Sequence, residues 1–341
     1  MCCIFRSRIL LSAAVLALAA LFLAHPDTAA AGFEQGVRLC MHTLLPALFP
    51  FFVACGLLTS AVGRKGGFAA ALLLSWLGGY AVCAGLVRDL RIQGKLSPFR
   101  ANLLLLLGCC SGPGFVVGSI GGQLLGSVPM GLLLYATQLV ANLVCAVLLW
   151  PLAKRWSIDR PLPAPAKTPA PQGLPQAIAQ AVDSSLCVCG TVVFFRMVQT
   201  TLIASLVLPS SAAPFLSAFW EISSGCADFA RLGGSTALYG LCLCLSGLSV
   251  SVFVQLQSLL EGTADLRLLA LSRALHLPLL LLLVKFLAPR LPGETAVFSS
   301  LAPRVVTMNR TAPDTAFVVF LFLCAVLYKT RKKNYNRSIR G

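Results

Sequence analysis

Two Ser-Gly segments, each lodged in an apolar run and far apart in the chain, are the residues best placed to do chemistry: Gly108-Cys109-Cys110-Ser111-Gly112-Pro113-Gly114 and Leu243-Cys244-Leu245-Ser246-Gly247-Leu248-Ser249. Lipid offers no partner to a backbone N–H or C=O. A helix interrupted at membrane depth therefore persists only where the break faces a cavity enclosed by protein or filled with water. Unwound backbone and half-helix ends then supply carbonyls, amides and dipoles suited to small polar or charged solutes. Ser111, Gly112, Ser246 and Ser249 are candidate binding residues on this reasoning, and Ser251 could add a hydroxyl. Serine and glycine also serve simply to pack membrane helices closely, and packing is the competing reading for any one of them.

Charged residues inside apolar surroundings are the second chemical signal, since an intramembrane carboxylate or guanidinium is costly and usually faces a cavity, a counter-ion or a transported ion. Glu221 and Asp228 flank Ser223-Ser224-Gly225 in residues 215–230, so Glu221, Ser223, Ser224 and Asp228 join the candidate site. Arg196 lies in the apolar run 186–208 and needs a partner, for which Asp183 or Glu221 is expected; unpaired, it would cost roughly 3 kcal/mol. His276 is expected to hydrogen-bond between helices, and Lys285 to snorkel toward an interface.

Other chemistries find less support. Most of the 14 cysteines lie in apolar runs and act as small apolar residues, and Cys187-x-Cys189 and Cys242-x-Cys244 lack the partners of a tetrahedral metal site. No cofactor is expected. An intramembrane hydrolase would need Ser111 as nucleophile and His276 as base, with an oxyanion site that nothing in the sequence supplies, so no enzymatic activity is expected. ATP-driven transport is disfavoured because the phosphate-binding Gly-x-x-x-x-Gly-Lys-Ser/Thr loop is missing from the sequence. The net charge of +16 comes from basic residues scattered between apolar runs, not from one basic stripe, which argues against a nucleic-acid partner.

The elements that must position these residues follow from hydropathy and charge. With 57% hydrophobic residues, 11% charged and a mean hydropathy of +0.85, the 341-residue chain reads as an all-α, multi-pass integral membrane protein whose surrounding partner is the bilayer. Residues 1–31 read as a signal-anchor helix, with a cleaved signal peptide as the alternative. Residues 9–24 run outward and 39–62 return. Residues 68–87 have basic residues at both ends, so a re-entrant hairpin turning at Gly78-Gly79-Tyr80 fits better than a crossing. Residues 103–125 cross through the first break and 131–152 return. The proline-rich segment 153–175 is a linker.

After a more polar helical start at Gln176, residues 186–208 run outward, 215–230 form a second hairpin, 238–259 return through the second break, 268–287 cross again, and 317–328 enter toward a basic tail. This places twenty of the 27 Lys and Arg on one side, Arg267 and Arg273 among them, and makes the linker and tail cytoplasmic in the cell membrane. The order helix, hairpin, broken helix, helix occurs twice with opposite orientation. The expectation is about eight transmembrane helices plus two re-entrant hairpins: one repeat over 36–152, an inverted one over 176–288, then an outer loop, terminal helix and tail over 289–341. Ser75-Trp76 beside Phe219-Trp220, and Gln123 beside Gln255 and Gln257, echo the pairing weakly.

The motifs Leu45-Pro46-Ala47-Leu48-Phe49-Pro50-Phe51-Phe52, Gly78-Gly79-Tyr80, Cys110-Ser111-Gly112-Pro113, Glu221-Ile222-Ser223-Ser224-Gly225-Cys226 and Ser246-Gly247-Leu248-Ser249-Val250, taken in order, resemble the YlbJ-type sporulation integral membrane proteins, which carry the nucleoside-recognition or Gate domain. The resemblance spans roughly residues 36–287. It implies a Gate fold similar to parts of concentrative nucleoside transporters and iron permeases, a transporter- or permease-like role for an unidentified small polar solute, a setting in endospore formation, and Gly79 and Tyr80 as site residues at the first hairpin tip. Where that family has Ser-Gly-Tyr-Pro, this chain has Gly78-Gly79-Tyr80-Ala81. The alternative is a non-transporting scaffold that keeps the fold, and homo-oligomerisation is left open by the sequence.

Overall fold

In the computed structural model, the described residues are 13, 15–62, 67–157, 173–206 and 211–291. They belong to the unit Met1–Ala302; the unit Pro303–Gly341 lies outside them, as do Arg6, Arg8, Arg64, Lys65, most of the linker, the expected terminal helix 317–328 and the basic tail. Among the described residues the protein is all-helical, without strands, and six helices are long and apolar enough to cross a membrane: Pro26–Thr59, Phe68–Ile92, Val128–Leu148, Leu174–Leu206, Gly234–Leu260 and Leu266–Arg290.

A short helix α1 (Val15–Ala24) ends at His25, and Pro26 opens α2 (Pro26–Leu39) at a first-turn position, where its missing N–H leaves no bond unmade. Helix α2 continues through a π-helical turn, Cys40–Leu44, into α3 (Leu45–Val62), which carries Pro50 in its interior. Helix α4 (Phe68–Ile92) contains Gly79 at φ 77°, ψ −167°. That backbone conformation belongs to glycine, and it folds the helix back on itself. A Cβ built on Gly108 would lie 2.8 Å from the Ser75 Cβ and 3.1 Å from the Cys83 Sγ, so residues 75 and 83 sit side by side. In an unbroken helix, eight residues would separate them by about 12 Å.

Next, α5 (Pro98–Gly108) is capped by Ser97, whose hydroxyl accepts from the Arg100 N–H, and gives way at Cys109 to a non-helical passage and then a π-helical segment, Gly114–Leu124. Helix α6 (Val128–Leu148) is capped by Ser127 and followed by the short α7 (Trp150–Arg155). The second half starts with α8 (Leu174–Leu206), in which the polar start at Gln176 and the apolar run after it form one helix. Helices α9 (Ala213–Trp220) and α10 (Ile222–Leu232) are joined by the single extended residue Glu221. A Cβ on Gly225 would come within 2.5 Å of the Ala218 Cα, so these two helices also fold back face to face. Helices α11 (Gly234–Gly247) and α12 (Val250–Leu260) are separated by Leu248 and Ser249, and α13 (Leu266–Leu287) is capped by Asp265.

Pairings between the halves follow a two-fold pattern. Helix α3 packs on α8 and α6 on α13, while α4 on α5 matches α10 on α11, and α5 on α6 matches α11 on α13. Helix α2 lies along α8, where Gly32 and Gly36 admit the backbone of Met197 and Val193, close small-residue contact of the kind that packs membrane helices. Helices α5 and α11, which lead into the two breaks, are the core: Ala101 through Gly108 are all buried, as are Leu241, Cys242, Cys244, Leu245 and Ser246. One match fails. Helix α3 packs on the π segment Gly114–Leu124, whereas α8 and α12 leave a groove of about 380 Å³ between them, lined by Cys187, Gly190, Thr191, Ser251 and Gln255 among others.

Candidate functional site

At the first break, Cys110 and Gly112 meet the turn of α4 backbone to backbone. A Cβ on Gly79 would be 2.9 Å from the Gly112 nitrogen, and one on Gly112 would be 3.2 Å from both the Gly79 nitrogen and the Leu77 carbonyl oxygen. Glycine is needed at both positions to permit this approach. Beside the contact lies a cavity of about 50 Å³, lined by Gly79, Tyr80, Ser111, Gly112 and Ser223, with Phe51 and Phe52 of α3 and Val188 of α8 supplying apolar wall. Five of the ten residues expected in a site thus surround one space, drawn from both halves of the chain. The Ser111 hydroxyl is buried without a hydrogen-bond partner. A water needs about 10–15 Å³ on this measure, so the space admits a few waters and not a drug-sized solute.

The second break holds strain. Leu248 (φ 55°) and Ser249 (φ 36°) are consecutive non-glycine residues in the left-handed region. Each such residue costs on the order of 1–3 kcal/mol and persists only where its surroundings enforce it. Ser249 and Ser251 share a 2.9 Å hydroxyl contact. Ser246 is fully buried, with its Oγ 2.8 Å from the His276 Nδ1.

The breaks are joined through two other side chains. The Gln138 Nε2 donates to the Ser111 carbonyl at 2.6 Å, and the Gln138 carbonyl lies 3.3 Å from the His276 Nε2. With Nε2–H donating to that carbonyl, Nδ1 is left to accept from the Ser246 hydroxyl. The path Ser111, Gln138, His276, Ser246 therefore runs from one break to the other through α6 and α13. Ser246 and Ser111 do not bond each other, and the His276 Nδ1 is bonded to Ser246.

Glu221 and Asp228 take positions that the sequence left undefined. The Glu221 carboxylate folds onto its own helix: Oε1 accepts from the Ser223 N–H at 2.9 Å and Oε2 from the Ser224 N–H at 2.6 Å, an N-terminal cap at the positive end of α10. It is 3% exposed, next to the residues that line the cavity. Asp228 is not among the residues lining that space and pairs with Arg196, accepting from Nη1 at 2.6 Å and Nη2 at 3.0 Å. The Gln35 Oε1 accepts from the same guanidinium at 3.1 and 2.9 Å, and Ser217, Gln199 and Arg231 complete the cluster. The expected partners of Arg196 are thus corrected. Asp183 is exposed and thirteen residues away along the same helix, about 20 Å, while Glu221 is occupied at its own helix start. A second correction concerns Arg273, counted among the basic residues on one side: it is 6% exposed, inside α13 and against α6.

Gln138, Asn142, His276 and Arg273 form a polar seam between α6 and α13 that the sequence reading did not place in the site. The signal was available. Gln138 and Asn142 are four apart on an apolar helix, and Arg273 and His276 are three apart, so each pair shares one helix face. Compared with known proteins, the chain matches no family model, no curated protein and no solved structure.

Proposed function

We propose that this chain is a transporter- or permease-like membrane protein of the Gate class, built as two inverted repeats of a helix, a re-entrant hairpin, a broken helix and a further helix, and that it handles a small polar solute at the first break. The observation that carries the reading is the cavity between the Gly79 turn and the Ser111-Gly112 break, lined also by Ser223 of the other half and bordered by Ser111, whose buried hydroxyl has no hydrogen-bond partner. Broken helices whose ends face a site shared by two repeats are the usual architecture of secondary transporters. The two-fold pattern of helix pairings supports the repeats, and the fold-back at Gly79 and Glu221 supports the hairpins. The failed match supports two conformations: with α3 closed on its broken partner and α8 open to its own, the halves stand in different states, as alternating access requires.

On this reading the protein lies in the cell membrane with residues 153–175 and 329–341 cytoplasmic, and a setting in endospore formation is proposed from the motif resemblance alone. The test is thermal unfolding of the purified protein against a panel of nucleosides, amino acids and organic acids, since a ligand that binds only the folded state raises the unfolding midpoint by mass action. Stabilisation by one solute, lost in Ser111→Ala, is the expected result. A panel without effect, together with a deletion strain whose sporulation is restored equally by Ser111→Ala and wild type, would favour the scaffold reading.

A further inference from the structure

The guanidinium of Arg273 is buried without a carboxylate. Its Nη2 donates to the Asn142 Oδ1 at 2.9 Å and its Nε to the Ser272 Oγ at 3.1 Å, which leaves Nη1 buried without a partner. The titratable groups in electrostatic range are the thiols of Cys109, Cys110 and Cys145 and the His276 imidazole, none of them a carboxylate, and the Cys145 Sγ is already directed at the Ser272 carbonyl, 3.6 Å away. Asn142 is fully buried, and its Nδ2 also has no partner. Reversing the amide cannot repair this: arginine has only donors, so Oδ1 must face Nη2 and the amide nitrogen stays unspent. Two unspent donors on facing helices, each two bonds removed from an atom of the same 2.9 Å contact, thus accompany one unneutralised positive charge.

A buried charge is ordinarily paired, and a buried donor ordinarily satisfied. Arg196 in the same protein obeys the rule, with a carboxylate and an amide oxygen on one guanidinium. Arg273 departs from it one helical turn from His276, and Asn142 one turn from Gln138, beside the path that joins the two breaks. What the pair lacks is an acceptor with negative charge. The fork of a guanidinium suits a carboxylate or phosphate oxygen, and an amide N–H adds direction.

We infer that Arg273 and Asn142 form an anion-recognition site between α6 and α13, and that the solute handled at the breaks carries a carboxylate or phosphate group. The inference rests on the transporter reading for the second half of that statement; the site itself does not. Nη1 and Nδ2 are closed off in this conformation, so an anion reaches them when α6 and α13 part, the same helices whose Gln138 and His276 hold the breaks together.

The experiment is thermal unfolding of the full chain in detergent at fixed ionic strength, with sodium chloride, phosphate or acetate replacing the bulky sulfonate 2-(N-morpholino)ethanesulfonate. The expected result is a saturable rise of the midpoint with phosphate or acetate, absent in Arg273→Gln and shifted at least ten-fold to higher concentration in Asn142→Leu, which keeps the charge and removes the amide donor. Asn142→Asp brings a carboxylate of its own to the guanidinium and is expected to unfold at a raised midpoint that no longer responds to added anion. If no anion moves the wild type, or if Arg273→Gln and Asn142→Leu respond as the wild type does, the site is refuted. A response to chloride equal to that of the oxyanions would overturn the carboxylate or phosphate assignment. Flux in proteoliposomes separates the two readings. An anion shift without flux of any tested solute removes transport and keeps the site, while flux of a neutral solute that is unchanged in Arg273→Gln keeps transport and removes the assignment of a carboxylate or phosphate to the solute.

Discussion

Replacing Asp228 with asparagine is the sharpest perturbation of the second half. The carboxylate takes two N–H groups of Arg196 at 2.6 and 3.0 Å and one of Arg231 at 2.8 Å, and the Arg196 and Asp228 side chains are only 8% and 12% exposed. Asparagine keeps the shape, halves the accepting capacity and turns an N–H₂ group toward a donor-only guanidinium. Breaking a buried pair by removing one partner costs about 3–5 kcal/mol, most of it the burden of the charge left behind. The Gln35 oxygen remains as a neutral acceptor, so Asp228→Asn should fall near the lower end, about 3 kcal/mol. Arg196→Met should cost less, because Asp228 retains Arg231, which is 69% exposed and can follow it. The double variant Arg196→Met with Asp228→Leu removes both charges and should recover most of the loss. Unfolding by sodium dodecyl sulfate in mixed micelles, followed by tryptophan fluorescence, reads all three. If Asp228→Asn lies within about 0.5 kcal/mol of wild type, or if the double variant is as unstable as the sum of its singles, the pair is not holding α8 to α10 and the reasoning fails.

Other outcomes test the remaining elements. Gly79→Ala forces a Cβ to within 2.9 Å of the Gly112 nitrogen at φ 77° and should cost at least about 2 kcal/mol by the same unfolding assay, whereas Gly85→Ala in the same helix meets nothing within 4 Å and should be neutral or up to about 1 kcal/mol stabilising. Ser246→Ala leaves the His276 Nδ1 unsatisfied and should cost about 1 kcal/mol or more, while Ser111→Ala deletes an unpartnered hydroxyl and should change stability by less than about 0.5 kcal/mol; equal effects would contradict the assignment of these two serines. A cysteine at Ala166 in the linker should react with an impermeant thiol reagent only after cells are opened, and modification of intact cells would reverse the proposed orientation.

Much of the helical framework was legible because membrane helices announce themselves by length and apolarity, and because Gly, Ser and Pro inside such a run mark a break. The turn at Gly79, the passage at Ser111-Gly112-Pro113 and the interruption after Ser246 were all visible in this way. Partners of polar groups were less visible, because they depend on which faces meet. Arg196 found Asp228 rather than Asp183 since the fold-back at Glu221 carries α10 against α8, a contact that no local spacing encodes. Arg273 was read as a marker of sidedness because a basic residue near the end of an apolar run usually is one. Glu221 sits at a chain reversal, and the extended residue that makes the reversal is also the cap of the helix after it; sequence supports a ligand role and a capping role equally well at such a position.

The seam between α6 and α13 bears on how the protein is made. The contacts Gln138 to His276, Asn142 to Arg273 and Cys145 to Ser272 each span more than 120 residues of chain. During synthesis α6 enters the bilayer long before α13 exists, carrying a glutamine and an asparagine whose amides then have only lipid, stray water or the insertion machinery to face. The first half is therefore a provisional assembly that is sealed when the last described helix arrives. A ribosome that stalls in the linker leaves behind a polypeptide with polar groups exposed in its membrane-embedded part, the kind of surface by which quality-control proteases select their clients.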